Sequence, residues 1–216
     1  MLLRKMKPHT VIQGECIGSI ACNYGFFWQT VWNDPDNAAL KQKRQDPNVL
    51  MAGDTVAIPE LRSKVEQLAL DKRHTFKLNG VPAKLYLRLL DGGKPRANQP
   101  FTLEIDGIRF QGATNGDGEI NVSIPPGAQS GLLVIGTGDS RSEYPLQLGL
   151  LDPADELSGA QARLENLGFQ PGEIDGTLSP ETIEALSAFQ ASQGLPVTGQ
   201  LDSATQKKLN DSHDGR

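Results

Sequence analysis

The sequence predicts a multidomain α+β chain: a small βααβ module, then a β-sandwich, then a small three-helix bundle. Three observations predict it. An apolar segment at the N-terminus changes period from strand to helix and back. A middle stretch alternates apolar and polar residues between Gly- and Pro-rich turns. A C-terminal stretch repeats one helix-start motif twice. The 216 residues suit two or three small domains.

The first module spans 8–59. His9-Thr10-Val11-Ile12 reads as a strand, broken at Gly14. Glu15 to Tyr24 reads as a helix, with Ile17, Ile20 and Ala21 on one face. Gly25 ends it. Phe26, Phe27, Trp28, Val31, Trp32 and Leu40 predict a second helix packed on the first. Most of these rings belong in a core, with room for one to remain exposed. Asp54 to Ile58 reads as the closing strand, stopped by Pro59.

Residues 60–73 are charged and read as a linker. The second module, 74–150, holds the alternating runs Leu85, Leu87, Leu89 and Phe101, Leu103, Ile105. Asp106-Gly107 is a two-residue hairpin signal. Thr114 to Gly118 and Pro125 to Gly127 mark further turns, and strands follow near 131–136 and 144–149. About seven short strands with regular turns predict a sandwich.

The third module, 152–210, carries the repeat, with a short tail at 211–216. Gly176-Thr-Leu178-Ser179 to Leu186 matches Gly199-Gln-Leu201-Asp202 to Leu209 in the pattern G-x-L-[S/D]-x-x-T-x-x-x-L. The glycine makes a turn and the leucine pins it to the core. Ser179 and Asp202 cap the helices that follow, and Pro180 suits a first helical position. An earlier helix is expected to start at Ser158, with Gln161 completing a capping box. Leu164, Ile183, Leu186, Phe189 and Leu209 are the expected core.

Charge excludes some functions. The net charge is −5, with 4 basic against 11 acidic residues in 150–216. No basic stripe points to nucleic acid, and no apolar run reaches the roughly 20 residues of a membrane span. The start MLLRKMKPHT lacks the apolar core of a signal peptide. Synthesis in the cytoplasm is therefore expected, with action at the wall, in the periplasm or outside after specialised secretion. Cys16 and Cys22, placed on one helix, stand about 9 Å apart along its axis, too far for a disulfide, so two free thiols are expected. Monomer is the default state.

No catalytic motif stands out. The three histidines, His9, His74 and His213, fall in three segments. His9 is the one imidazole that could approach a cysteine. Asn115, Asp117 and Glu119 alternate like a calcium loop, but a plain turn is the better reading. No metal, cofactor or catalytic residue is expected; a hydrolase using a carboxylate pair that no motif singles out is the alternative.

The third module resembles the three-helix peptidoglycan-binding domain found beside wall hydrolases. The resemblance is carried by Gln161-x-x-Leu164-x-x-Leu167-Gly168-Phe169, Ile174-Asp175-Gly176, Leu178-Ser179-Pro180, Ala188-Phe189-Gln190 and Thr198-Gly199. It implies peptidoglycan as the partner, with Asp175, Gly176, Phe189 and Gln190 at motif positions. The first module is similar to LysM domains, aminosugar-binding βααβ modules, through Gly14-Glu15-Cys16-Ile17, Tyr24-Gly25, Trp32-Asn33 and Leu50-x-x-Gly53-Asp54-x-Val56-x-Ile58-Pro59. That resemblance implies a glycan groove between the loop Gly14, Glu15, Cys16, Ile17 and the loop Leu50, Met51, Ala52, Gly53. The long stretch from Asn33 to Val49 is similar to LysM forms encoded near type VI secretion and contractile injection machines. It implies a secreted effector or an injection-spike protein as a further partner, or an adaptor role in such a spike. The middle module resembles immunoglobulin-like sandwiches through Thr114 to Ile120.

Overall fold

The computed structural model describes residues 6–61, 72–73 and 83–214. Most of the expected linker (62–71), His74 and the opening of the second module to residue 82 lie outside the described residues. The chain is mixed α+β and divides into two compact units. Unit 1 takes in 1–48 and 52–150; unit 2 takes in 49–51 and 151–216. The middle module to residue 150 and the N-terminal module apart from 49–51 thus fall in unit 1.

In unit 1, β1 (Met6–Thr10) pairs antiparallel with β2 (Thr55–Pro59), His9 opposite Val56. Three short helices lie between them: α1 (Ile17–Asn23), α2 (Trp28–Trp32) and α3 (Ala38–Arg44), with a 3-10 turn at Pro35–Asn37. The expected second helix is thus broken. Asn33 closes α2, and Pro35, which has no N–H, opens the 3-10 turn. Buried Asn37 then welds the segment to the sheet: its amide donates to the carbonyls of Val31 and Ala57 and accepts from the Ala57 N–H. Arg44 and Asp54 form a buried bidentate pair at 2.7 and 3.1 Å. Trp32 is buried and Phe27 is 53% exposed.

Two sheets share the core of the second part of unit 1. One has the order β10-β9-β6-β7, from Ser142–Gln147, Ser130–Ile135, Pro100–Ile105 and Ile108–Ala113. The other pairs β3 (Ala83–Arg88) with β8 (Glu119–Ile124). A two-residue ladder, β4 (Leu90–Asp91) with β5 (Lys94–Pro95), sits between β3 and β6 in the chain. Leu103, Ile105, Leu133 and Ile135 of the first sheet bury against Ile120 and Ile124 of the second, with Leu85 and Leu87 partly buried beside them. The Asp106-Gly107 turn has φ of 47° and 79°, as a two-residue hairpin requires.

Unit 2 holds α4 (Leu157–Asn166), α5 (Pro180–Ser192) and α6 (Ser203–His213). Ala160, Leu164, Ala185, Leu186, Phe189 and Leu209 form its core. Ser179 and Asp202 cap α5 and α6 through the N–H groups of Thr182 and Thr205. Three expectations are corrected. Ser158 does not cap α4, whose N-cap position is held by Glu156 without a side-chain hydrogen bond; Ser158 instead donates to Asp152 at 2.7 Å. Ile183 is 41% exposed and outside the core cluster, its side chain lying against the Gly199 turn. Leu178 is 48% exposed, while its repeat counterpart Leu201 packs partly against the core.

Candidate functional site

In unit 2 the repeat builds the same clamp twice. Gln161 is fully buried. Its amide N–H groups donate to the Thr177 carbonyl and the Thr182 hydroxyl, and its oxygen accepts from the Gly176 N–H. Gln190, equally buried, donates to Thr198, to the Gln200 carbonyl and to Thr205, and accepts from the N–H groups of Thr198 and Gly199. The glutamines therefore play the role of a backbone ladder, satisfying the turns that follow α4 and α5. The glycines pack the turns onto serines one helical turn back: Gly176 faces Ser158, and Gly199 faces Ser187. The full repeat is thus S-x-x-Q, then G-x-L-[S/D]-x-x-T. The S-x-x-Q half is present in the sequence, and buried polar groups at equal offsets are the signal that would have found it.

This places the four motif residues. Phe189 is 1% exposed and touches Phe169 edge-on at 5.6 Å. Gln190 is spent in the clamp, and Gly176 is held by Gln161. Phe189 and Gln190 are out of reach of a ligand, so their role is to hold the fold. Asp175 is exposed and accepts from the Thr177 N–H at 2.7 Å, which holds its carboxyl below the usual range. Sequence reasoning missed Arg163. It is 1% exposed and donates to the carbonyls of Asp152 and Gly159 and to Asp214, tying the start of the module to its last helix. Burial alone would raise the Asp214 carboxyl; His213 and Arg163 together outweigh it and hold it low.

Backbone hydrogen bonds tie an end of each expected groove loop to a neighbouring segment. The Gly53 N–H donates to the Val11 carbonyl, and the Ile17 N–H donates to Pro47. Yet few of their side chains face outward. Ile17 and Leu50 are buried. Glu15 turns back, accepting from the Ile12 N–H and pairing with His9 at 2.8 Å. Cys16 caps α1, its sulfur accepting from the Ser19 N–H. It is therefore a cap, whereas Cys22 lies within the helix; both are free thiols. Ala52 and Gly53 are exposed, and Met51 partly so. Gly14 abuts the sandwich: a Cβ on Gly149 would stand 2.7 Å from the Gly14 carbonyl, and one on Gly14 would stand 3.3 Å from the Gln129 amide.

One ring nitrogen of His9 is engaged by Glu15. The other ring nitrogen faces the Tyr24 hydroxyl at 3.2 Å. At the opposite end of the β1–β2 pair, a pocket of about 410 Å³ is lined by Met6, Pro8, Tyr24, Phe26, Ile58 and Pro59. No sequence signal marked it. Asn115 forms a plain turn, its oxygen accepting from the N–H groups of Asp117 and Glu119. Among the described residues no group of three or more His, Cys, Asp or Glu side chains could hold a metal ion, and no helix is long and apolar enough to cross a membrane.

The buried glutamine clamps and the twice-used G-x-L-[S/D]-x-x-T start are the frame on which a family comparison bears. Residues 154–209 match the family model described as "Putative peptidoglycan binding domain". Unit 2 carries this peptidoglycan-binding domain. Two curated relatives, the localization factor PodJL of two Caulobacter vibrioides strains, are each 43% identical over 54 residues, 25% of this chain. The N-acetylmuramoyl-L-alanine amidase CwlM of Mycobacterium tuberculosis is 27% identical over 171 residues, 77% of this chain. The matched regions take in 6% of each localization factor and 38% of the amidase. No solved structure matches.

Proposed function

We propose that this protein is a non-catalytic accessory that binds peptidoglycan through unit 2. The observation that carries the reading is the domain match over 154–209, on a module whose turns are held rigid by Gln161 and Gln190. A rigid scaffold loses little entropy on binding. The relative named as an N-acetylmuramoyl-L-alanine amidase supports a wall setting. The non-catalytic part is supported by the commitments of the candidate nucleophile and base: Cys16 caps a helix, and His9 is held by Glu15 and Tyr24. Purified sacculi should pellet the full-length chain and should not be cleared by it in a zymogram. Clearing would make the protein a hydrolase.

One observation favours a narrower role for the first module. Its Gly14 backbone lies close to Gln129 and Gly149, so a ligand reaching Gly14 meets protein there. In this reading the LysM-like module contacts a protein, such as a secreted effector or an injection-spike component, while unit 2 holds the wall. Capture of a spike component by the full chain, undiminished by Ala52→Trp in the groove loop, would agree with it. Release of sacculi by that substitution would assign the loop to glycan instead.

A further inference from the structure

The two halves of the unit 2 repeat differ in length between the clamp glutamine and the turn glycine, in the helix end and in the loop. From the glycine that ends α4 to the turn glycine is eight residues, Gly168 to Gly176. The matching span after α5, Gly194 to Gly199, is five. The longer loop walls a groove of about 380 Å³, lined by Glu165, Gly168, Phe169, Gln170, Pro171 and Gly172. Its shorter counterpart, Leu195-Pro196, carries no aromatic ring.

The groove is pre-formed. Gly168, at φ of 89°, ends α4, and the Phe169 N–H donates to the Leu164 carbonyl at 2.9 Å. The Phe169 ring is wedged edge-on against buried Phe189 and leaves part of its surface open. The Thr182 hydroxyl tethers the Pro171 carbonyl at 2.8 Å. Gly172 passes so close to Glu181 that a Cβ there would stand 3.3 Å from the Glu181 Cβ.

We infer that this groove takes an N-acetylhexosamine unit of the glycan strand, an inference that rests on the wall-binding reading. The lining has the mix a sugar needs. A half-open aromatic ring matches the apolar face of a pyranose. An exposed carboxylate, Glu165, accepts from hydroxyl groups, and an exposed amide, Gln170, can donate and accept. Only one cation in the described part of α4 exists, Arg163, and it is buried and paired with Asp214. None of the groove's lining residues is a cation, and Glu165 repels the carboxylates of stem peptides.

The test uses the full-length chain and sacculi. Glycan strands stripped of their peptides should compete for binding, and free stem tripeptide at the same concentration should not. Gln170→Ala and Glu165→Ala should each weaken sacculus binding about five- to tenfold, with the melting temperature unchanged, because both side chains are exposed. Lys207→Ala, on the exposed surface of α6, should bind as the parent does. Competition by the tripeptide, or parent-like binding by both groove variants, overturns the sugar site and leaves wall binding standing. Failure of the parent chain to pellet overturns the wall-binding reading and this site with it.

Discussion

Gln190 shows how one side chain can carry a local fold. Its amide makes five hydrogen bonds to groups in the turn and first helical residues that follow α5. Gln190→Ala would strand several buried polar groups, each costing about 1–3 kcal/mol. We expect unit 2 to lose at least about 3 kcal/mol, read by urea denaturation of the full chain. Gly159 gives a test of opposite flavour. A glycine inside a helix is normally improved by alanine, by roughly 1 kcal/mol. Here a Cβ would stand 2.0 Å from the Pro153 carbonyl, so Gly159→Ala should destabilise. A higher melting temperature for that variant would contradict the packing of 152–153 on α4. The sequence made the repeat's caps legible, because Ser179 and Asp202 act through contacts three residues away. Gln161, Arg163 and Asn37 were not legible as structural groups, because their partners lie 4 to 51 residues off.

Helices show the same division. α5 and α6 start where their caps and Pro180 place them. α4 does not, because Arg163 and the Asp152-Pro153 backbone, rather than Ser158, organise its N-terminal region. The segment after Trp32 reads as one helix from its apolar spacing but folds as a short helix, a 3-10 turn and another helix. Its apolar spacing is compatible with either arrangement, and the choice is made by Asn37 binding β2 across the module. At α6 the Asp202 cap adds a pH dependence. The Thr205 N–H, then its hydroxyl, hold the Asp202 carboxyl below its ordinary value of 3.8. A depressed carboxylate contributes stability that is complete above its unfolded value and is lost as pH falls through the folded one. Asp202→Asn keeps a capping oxygen without the titration. It should therefore leave neutral-pH melting nearly unchanged and flatten the loss of stability in acid below that ordinary value. An equally steep acid loss would mean that the cap does not contribute to it.

At the scale of the whole chain, the α+β class and the C-terminal family were legible because both rest on short-range periodicity and a repeat. The site was less so. The motif positions Phe189 and Gln190 turned inward, since the residues that make a small module recognisable are those that hold its core. A ligand surface can vary without cost to the fold, and the groove at Phe169 owes its existence to three extra loop residues that no motif records. Charge separates two ways of holding a wall. Unit 2, with 11 acidic against 4 basic residues over 150–216, cannot bind by attraction to anionic polymers. Raising salt shortens the Debye length from about 10 Å at 0.1 M to about 3 Å at 1 M. Sacculus binding should survive that change or strengthen slightly.

The most direct measurement is co-sedimentation of purified sacculi with the full-length chain and with a chain lacking 151–216, at low and high salt. The account predicts that the full chain pellets at both salt concentrations and that removal of unit 2 abolishes most of the binding. A full chain that stays in the supernatant, or a truncated chain that pellets equally well, would contradict it.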